Sequence, residues 1–258
     1  MQTAPLKSLA GVRILITRAK SENEPLAHKL MELGASIAEL PTIEFLPPEN
    51  MEPLDRSIRM LSKYDWVVFT SRNGVQFFIR RMAAIGDPPN RLQRVKVAAI
   101  GPATAAALEK LTKKPDYMPN EFLSEKMVDG LGNVKGKRIL LPRADIASRS
   151  LPEHLRSQGA SVDEVVAYRT VAPEDLTFER LSHILGEGVD VVAFTSPSTV
   201  RNLARVGVGG LGALLKGVKV ACIGPVTADA AKTLGVHVDI VASNHTVDDL
   251  VEAIVNEI

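Results

Sequence analysis

The sequence predicts an α/β protein built from two similar doubly wound domains with parallel sheets. The chain has 258 residues, which is enough for about two domains. Its two halves repeat one another, and within each half short β-branched runs alternate with helical stretches. That alternation is the pattern of parallel sheets with helices on both faces.

The repeat is found by sliding the sequence over itself. The main match has an offset of 125 residues, and a later one has an offset of 123 residues after a small deletion. Two copies are too few for a solenoid, so they predict two similar domains. The matching segments are Gly11–Glu49 with Gly136–Glu174, Asp65–Ser71 with Asp190–Ser196, and Val95–Thr104 with Val218–Thr227.

Continuous apolar runs predict the strands of the first half. They are Ile14–Thr17, Trp66–Thr70 and Val95–Ile100. Such runs are typical of parallel strands that are buried on both faces. Right-handed crossovers then bring the carboxyl ends of the strands to one edge of each sheet.

Helices are predicted from capping residues and from apolar stripes. Ser21–Glu24 forms a capping box for the first helix, which Gly34 closes. Thr246 is a candidate cap for the last helix. The apolar stripes at helical spacing are Leu26/Leu30/Leu33, Val75/Phe78/Ile79/Met82 and Val247/Leu250/Val251/Ile254.

Two extended segments, Glu39–Pro48 and Glu164–Pro173, occupy equivalent places in the repeat and end in proline. They allow two interpretations, as ordinary second strands or as a pair of linkers between the domains. Within them, Tyr168 of the second copy stands opposite Ile43 of the first. That phenol is either a packed tyrosine or a hydrogen-bond donor and weak acid in a cleft.

Composition and charge exclude several classes of protein. Lys plus Arg number 31 against 30 Asp plus Glu, a formal charge of +1, whereas a nucleic-acid binder normally carries a basic excess. No apolar run approaches the roughly 18 residues of a membrane span, and the first ten residues lack the apolar core of a secretory signal. The single Cys222 is expected to be a reduced core residue. We therefore expect a cytoplasmic protein with no nucleic-acid or membrane partner.

Polar residues follow the predicted strands at the edge where open α/β sheets bind ligands. They are hydroxyls, arginines and backbone amides at helix starts, which suits an anionic ligand. The hydroxyls of Ser71, Ser196, Thr104 and Thr227 also fit helix caps or first-turn residues, and one hydroxyl can fill both roles. The strand-end segments are Thr17-Arg18, Thr70–Asn73, Gly101–Thr104, Pro142-Arg143, Thr195–Ser198 and Gly224–Thr227.

The usual catalytic constellations are missing from the sequence. Gly207–Gly212 matches G-x-G-x-x-G, but it follows a helical stretch and leads towards a strand, the reverse of a dinucleotide site. No phosphate-binding loop or nucleophile elbow is present. The chemistry is therefore expected to need no metal, nucleotide or covalent nucleophile. The histidines lack metal spacing and are expected to be solvated surface residues; they are His28, His154, His183, His237 and His245.

Together these features resemble the uroporphyrinogen-III synthase family. The resemblance rests on paired halves, each with an early strand-Arg, a Phe-Thr-Ser strand end and an Ile-Gly-Pro-x-Thr-Ala turn, and on Val-Ala-Tyr168-Arg-Thr. It implies two flavodoxin-like domains joined by a two-stranded linker, with the substrate in the cleft between them. It implies discontinuous domains, 1–39 with 174–258 and 50–163, with linker strands at 40–49 and 164–173.

The resemblance also implies a reaction that needs no cofactor. Hydroxymethylbilane, a linear tetrapyrrole with many carboxylates, is closed into uroporphyrinogen III with inversion of its last ring and loss of water. Loss of the terminal hydroxyl gives an azafulvene, attack from a substituted carbon gives a spiro intermediate, and this fragments and recloses. The implied enzyme is a lyase that acts as a monomer, with a possible transient handover of substrate from the preceding deaminase.

Carried onto this chain, the resemblance makes Tyr168 the catalytic residue that assists departure of the hydroxyl. Where some relatives carry an arginine after Thr-Ser-Pro, this chain has Asn73, with Arg72 one place earlier. Arg18 and Arg143 fit structural ion pairs as well as substrate contacts. The residues expected to bind acetate and propionate groups are Thr17, Arg18, Ser71, Arg72, Asn73, Thr104, Arg143, Ser196, Ser198 and Thr227.

One competing class is a non-catalytic two-domain binder that closes on an anionic small ligand. It explains the duplicated halves equally well. The missing signal sequence and the absence of an attached output domain favour the synthase interpretation. A nucleotide-dependent α/β enzyme would need the glycine pattern that the order of elements excludes.

Overall fold

A computed structural model describes residues 8–121 and 124–258 of the chain, apart from the side chains of Ser21, Ser124 and Glu125. The chain folds as two compact units. One consists of the described residues up to Glu44 together with Val171–Ile258, and the other is Phe45–Thr170. Both boundaries lie inside the segments 40–49 and 164–173, which the resemblance implies to be linker strands.

Strands and helices alternate along the described residues, as the sequence predicts. The strands are β1 (Arg13–Ile16), β2 (Ser36–Glu39), β3 (Glu44–Leu46), β4 (Trp66–Phe69), β5 (Lys96–Ala99), β6 (Arg138–Ala144), β7 (Ser161–Val171), β8 (Val191–Phe194), β9 (Lys219–Cys222) and β10 (Ile240–Val241). The helices are α1 (Lys20–Glu32), α2 (Glu52–Arg59), α3 (Arg72–Ala84), α4 (Pro102–Leu111), α5 (Ser124–Gly130), α6 (Ser150–Ser157), α7 (Phe178–Gly186), α8 (Pro197–Val206), α9 (Leu211–Leu214), α10 (Pro225–Thr233) and α11 (Val247–Glu257).

The first unit contains a parallel sheet of order β10-β9-β8-β1-β2. Numbered along the chain, this order is 5-4-3-1-2, which is the flavodoxin-like doubly wound order read from its other edge. The prediction of a doubly wound parallel sheet is confirmed.

The second unit contains a sheet of order β3-β7-β6-β4-β5, in which β7, β6, β4 and β5 run parallel. The strand-helix-strand unit β6-α6-β7 occupies in this sheet the place that β1-α1-β2 occupies in the first. The first strand pair of each half of the sequence therefore completes the sheet of the other half. Strand β7 is continuous from its pairing with β6 to its place beside β3, so residues 164–171 form part of a second strand.

The central strands are buried on both faces, as their continuous apolar sequences predict. Every residue of β4 and β8 is buried. In β4, Val67 and Phe69 join one core cluster while Trp66 and Val68 join the cluster on the other face. Cys222 at the end of β9 is buried, and burial raises the pKa of its thiol to about 12. Among the described residues, no helix has both the length and the apolarity that crossing a membrane requires.

The helix ends confirm one predicted cap and correct another. Thr246 caps α11, because its Oγ1 accepts from Asp249 N at 3.1 Å. Gly34 closes α1 in the left-handed region, with φ +96°. The capping box at Ser21 is wrong, because α1 begins one residue earlier, at Lys20, with Ala19 as its N-cap. The Ala19 carbonyl accepts from Glu22 N at 2.8 Å, so a backbone bond closes the first turn.

Candidate active site

Two hydroxyl groups meet at the carboxyl edge of the second unit's sheet. Tyr168, near the end of β7, is 6% exposed, and its hydroxyl lies 3.0 Å from Ser71 Oγ. Ser71 follows β4 and is the N-cap of α3, where its Oγ accepts from Gly74 N at 3.0 Å. The strand-end position predicted to bind substrate is therefore also a helix cap, and it contacts the predicted catalytic phenol.

A register shift in β7 directs the Tyr168 side chain. Arg143 of β6 pairs with Val166, but the next residue, Ala144, pairs with Tyr168, so Ala167 is an extra residue at this point. Regular alternation would place Val165 and Tyr168 on opposite faces of the sheet. The bulge instead puts both in one core cluster, and bulges next to active sites often re-aim a side chain in this way.

Two phenylalanines fix the Tyr168 ring. Phe45 of β3 meets it edge-on, with ring centroids 5.6 Å apart and planes at 84°. Phe77 of α3 stacks on it, with centroids 5.5 Å apart and planes at 21°. Both arrangements are favourable for aromatic pairs. The packed tyrosine, one of the two interpretations that the sequence allows, is what the structure shows, and the role of the phenol as a hydrogen-bond donor in a cleft stays a prediction.

The protons and lone pairs of Ser71 and Tyr168 determine which hydrogen bonds the pair can form. Each hydroxyl carries one proton and two lone pairs. One lone pair of Ser71 is occupied by Gly74 N–H, and one of the two protons lies between the hydroxyls, with either oxygen as donor. The other proton is not used inside the pair. Whichever way the internal bond points, the pair therefore keeps one proton that it can donate to a group outside it.

Gly74 allows this close packing at the start of α3. A Cβ at that position would lie 3.2 Å from Ser71 Oγ and 3.2 Å from the carbonyl oxygen of Pro142 on β6. A side chain at 74 would therefore press on the hydroxyl that holds Tyr168. The neighbouring predicted residues Arg72 and Asn73 occupy the first two positions of α3 and are half-buried.

The equivalent strand end of the first unit has a different partner. Ser196 is the N-cap of α8, and its Oγ accepts from Thr199 N at 3.3 Å. The same oxygen lies 2.8 Å from Ser198 Oγ. Both units thus place a capping serine with a second hydroxyl at the strand end, but only the second-unit pair described above includes a phenol.

The threonines of the two repeated turns lie inside their helices. Thr104 and Thr227 are each 3% exposed and occupy the first turns of α4 and α10, after the N-caps Gly101 and Gly224. They are first-turn residues, one of the roles that the sequence allows. The groups that these turns present at the strand ends are therefore mainly backbone amides.

Both predicted arginines make ion pairs within their own unit. Arg18 Nη2 lies 3.2 Å from Glu22 Oε2, one turn along α1. The Arg143 side chain is 8% exposed; its Nη1 lies 3.1 Å from Glu164 Oε2, and its Nη2 donates to the Ser148 carbonyl. Burial lowers the pKa of the Arg143 guanidinium. The structure shows the ion pairs that the sequence allows for these residues.

Thr17 is also engaged within its sheet. It is fully buried, and its hydroxyl donates to the Ala193 carbonyl of β8 at 3.0 Å. Its own carbonyl accepts from Thr42 Oγ1 at 3.0 Å. The first bond ties the ends of β1 and β8 together and the second holds the segment after β2, so we leave Thr17 out of the binding set proposed below.

One residue near the first unit's turns was missed by sequence reasoning. His245 was expected to be a solvated surface histidine. The residue is exposed, but its imidazole also lies directly against Gly224. The only sequence signal was its position just before the cap Thr246, and that does not reveal a contact with a glycine 21 residues away.

Comparisons with known proteins identify relatives of this chain and agree with its fold. A family model described as uroporphyrinogen-III synthase HemD matches residues 24–252. A uroporphyrinogen-III synthase of Synechococcus elongatus is 35% identical over 256 residues, which cover 95% of each chain. Solved uroporphyrinogen III synthases share the fold: that of Helicobacter pylori has a TM-score of 0.66 at 18% identity, covering 95% of this chain and 99% of its own. A Thermus thermophilus mutant enzyme has a TM-score of 0.65 at 22% identity, covering 96% and 98%.

Proposed function

This chain belongs to the uroporphyrinogen-III synthase family, and we propose that its Ser71–Tyr168 pair supplies the proton that the family's reaction requires. The protein is a lyase of porphyrin biosynthesis that converts hydroxymethylbilane into uroporphyrinogen III. One observation carries the proposal: a buried phenol hydrogen-bonds a helix-capping serine at the carboxyl edge of a doubly wound sheet.

The proposed first step is departure of the terminal hydroxyl. The C–O bond of the hydroxymethyl group breaks, the electron pair leaves with oxygen, and the proton from the Ser71–Tyr168 pair converts the leaving hydroxide to water. Because Ser71 is half-buried and Tyr168 is buried, the serine can pass the proton on. General-acid help of this kind is worth about 10² to 10⁴ in rate.

The remaining steps use electrons that the substrate itself supplies. The azafulvene is attacked by a substituted carbon of the terminal ring, and the spiro intermediate fragments and recloses with that ring inverted. The ring carbon that forms the final bond loses its proton, and this proton restores the hydroxyl pair. The net change is hydroxymethylbilane to uroporphyrinogen III plus water, and the main task of the protein is to hold the flexible chain for attack from the correct carbon.

The substrate carboxylates are proposed to bind at the strand-end turns of each unit. Helix N-termini bind anions because their first N–H groups and their dipoles point outward. The turns ahead of α4 and α10 supply such amides, and the half-buried or exposed polar groups beside the other strand ends add side-chain donors. The proposed binding residues are Ser71, Arg72, Asn73, Thr104, Ser196, Ser198 and Thr227.

We further propose that the protein acts as a cytoplasmic monomer that receives its substrate from the preceding deaminase. The single buried thiol and the near-zero formal charge of the sequence support an intracellular setting with a small-molecule partner. A sedimentation measurement with and without the deaminase checks both the monomer and the handover.

The experiment for the function is an isomer analysis. Freshly generated hydroxymethylbilane is supplied to the purified protein, the products are oxidised, and uroporphyrins I and III are separated. We expect isomer III to dominate without added metal or nucleotide. Isomer I alone, formed at the rate seen without protein, would exclude the synthase and leave a non-catalytic anion binder as the better explanation.

A further inference from the structure

The two repeated Ile-Gly-Pro-x-Thr turns begin with different backbone conformations. Gly101 has φ +87° and ψ 157°, whereas Gly224 is extended, with φ and ψ both 174°. In the extended turn, the Gly224 carbonyl accepts from the third and the fourth N–H groups after it, each at 3.1 Å. The glycine and the proline are common to both copies, so these two residues do not by themselves set the conformation.

The imidazole of His245 lies against the second of these glycines. A Cβ on Gly224 would lie 1.9 Å from His245 Nδ1 and 2.6 Å from its Cε1. The ring therefore occupies the space that any other side chain at 224 would need. A φ of 174° is open to every residue, so it is this close approach that requires glycine.

His245 is held at this place in a strained conformation. Among the described residues it is the one non-glycine residue with a positive φ, 57°. Its neighbours clamp the loop to one carboxylate: Asn244 Nδ2 donates to Asp249 Oδ1 at 2.8 Å, and Thr246 bonds the other oxygen. Strain that the surroundings impose in this way is concentrated at functional sites.

We propose that His245 is a positioning residue for substrate binding, which keeps the Gly224 turn extended by packing its ring on the glycine. The inference rests on the proposed function, in which this turn binds a substrate carboxylate. Pro225 has no N–H, so the first amide that α10 can offer is that of Val226, next to the positive end of the helix dipole. Without the ring, the turn is free to relax towards the conformation of Gly101, and the amide is directed elsewhere.

The first test removes the imidazole ring of His245 without adding backbone strain. His245→Gly accepts a positive φ, and we expect it to raise the KM for hydroxymethylbilane on the order of 5-fold, the effect of one weakened hydrogen bond. Its kcat, its isomer III fraction and its Tm are expected to stay at wild-type values. His245→Asn tolerates the same φ and keeps a planar polar group, so it should recover part of the KM. The matched control is His237→Ala, which removes an 88% exposed imidazole of the same unit and should leave KM unchanged.

A second variant tests the contact itself. Gly224→Ala should raise KM in the wild-type background, where the new methyl displaces the ring, and add little in the His245→Gly background. A wild-type KM for His245→Gly would overturn the inference, as would equal effects of Gly224→Ala in both backgrounds. A joint fall of Tm and kcat would also overturn it, because that result indicates a structural role. If the wild type itself forms no isomer III, the proposed function fails instead.

Discussion

The same strand end occurs twice in this protein, and the two copies differ in one partner. Ser71 and Ser196 both follow a buried strand and both cap the next helix. Ser71 contacts Tyr168, whereas Ser196 contacts Ser198. The cap is common to both copies because each helix needs it to fold. Ile43 of the first copy and Tyr168 of the second occupy equivalent positions in the repeat. Neither residue caps a helix, and at this position the two copies differ in side-chain type.

The largest effect is expected when the second unit loses the phenol hydroxyl, which the first unit lacks. Tyr168→Phe keeps the ring between its two phenylalanines and removes only the oxygen. In a steady-state assay of isomer III formation we expect kcat to fall about 10²- to 10⁴-fold and KM to stay near its wild-type value. Tm should fall only by the loss of one partly buried hydrogen bond. Unchanged turnover would remove Tyr168 from the mechanism.

Tyr64→Phe is the matched control for that loss. The Tyr64 hydroxyl donates to Asp163 Oδ2 at 2.7 Å, and burial, with the Asp163 carboxylate, raises its pKa. It belongs to the same unit but is not bonded to Ser71. Its removal should lower Tm by the loss of one partly buried hydrogen bond while kcat stays unchanged.

The next largest difference is expected between Arg18 and Arg143, which occupy equivalent positions in the repeat. The quantity compared is the free energy of unfolding that each variant loses. Arg143→Met leaves Glu164 with Arg156, 2.9 Å away, and frees the Ser148 carbonyl, so we expect a loss of about 1–3 kcal/mol of unfolding free energy. Arg18→Met breaks a half-buried pair between the residue before the N-cap of α1 and Glu22 in its first turn, and should cost about 0.2–1 kcal/mol. Urea unfolding measures both. Equal losses of unfolding free energy would show that the burial of Arg143 does not increase its contribution to stability.

Replacing either capping serine should lower the free energy of unfolding by a similar amount, but the two variants should differ in kcat. Ser71→Ala and Ser196→Ala each remove an N-cap bond, and each should cost about 1 kcal/mol of unfolding free energy. Only Ser71→Ala also removes the partner of Tyr168, so its kcat should fall about 5- to 10-fold. Equal turnover in the two variants would mean that the Ser71–Tyr168 contact is only structural.

A smaller difference is expected in how acid affects the stability of the two units. Hydrogen bonds from Arg81 to Asp55, and from the backbone of Arg138 to Asp65, hold the pKa of these second-unit carboxyls below the ordinary 3.8. The stability that they contribute is present above that value and is lost as the pH falls through their lower, folded-state pKa values. In the first unit the pKa of Asp249 is also lowered, by its bond to Thr246, but that group is exposed and screened by solvent.

The single tryptophan, Trp66, reports on the second unit alone. We expect its fluorescence to change at a higher pH than the bulk of the far-ultraviolet circular dichroism signal during an acid titration. Asp55→Asn removes the stabilising contribution of this carboxylate at every pH, so it should move the fluorescence transition to a higher pH and widen the gap between the two transitions. Coincident transitions in the wild type would contradict this difference between the units.

Features that depend on local sequence could be predicted, and those that depend on distant partners could not. The buried strands, the stripe on α3 and the cap Thr246 follow from adjacent residues and were correct. The direction of Tyr168 depends on a bulge set by its pairing with β6, which no local pattern records. The ring of His245 contacts a glycine in another turn, and only the folded chain brings them together.

The predicted start of α1 was wrong for a different reason. Ser21–Glu24 has the composition of a capping box, yet the helix begins at Lys20, where the Ala19 carbonyl accepts the first bond. A capping box is a local preference worth about 1 kcal/mol, and packing of α1 on its sheet can outweigh it. The two arginines were ambiguous because charge at a strand end serves an ion pair and a substrate equally well.

The central claim is that Ser71 and Tyr168 act as one proton donor, and a double-mutant cycle tests it most directly. The kcat of isomer III formation is measured for the wild type, Ser71→Ala, Tyr168→Phe and the double variant. We expect Ser71→Ala to lower kcat in the wild-type background and to have no further effect once the phenol is gone. Effects that multiply, each independent of the other, would contradict the claim.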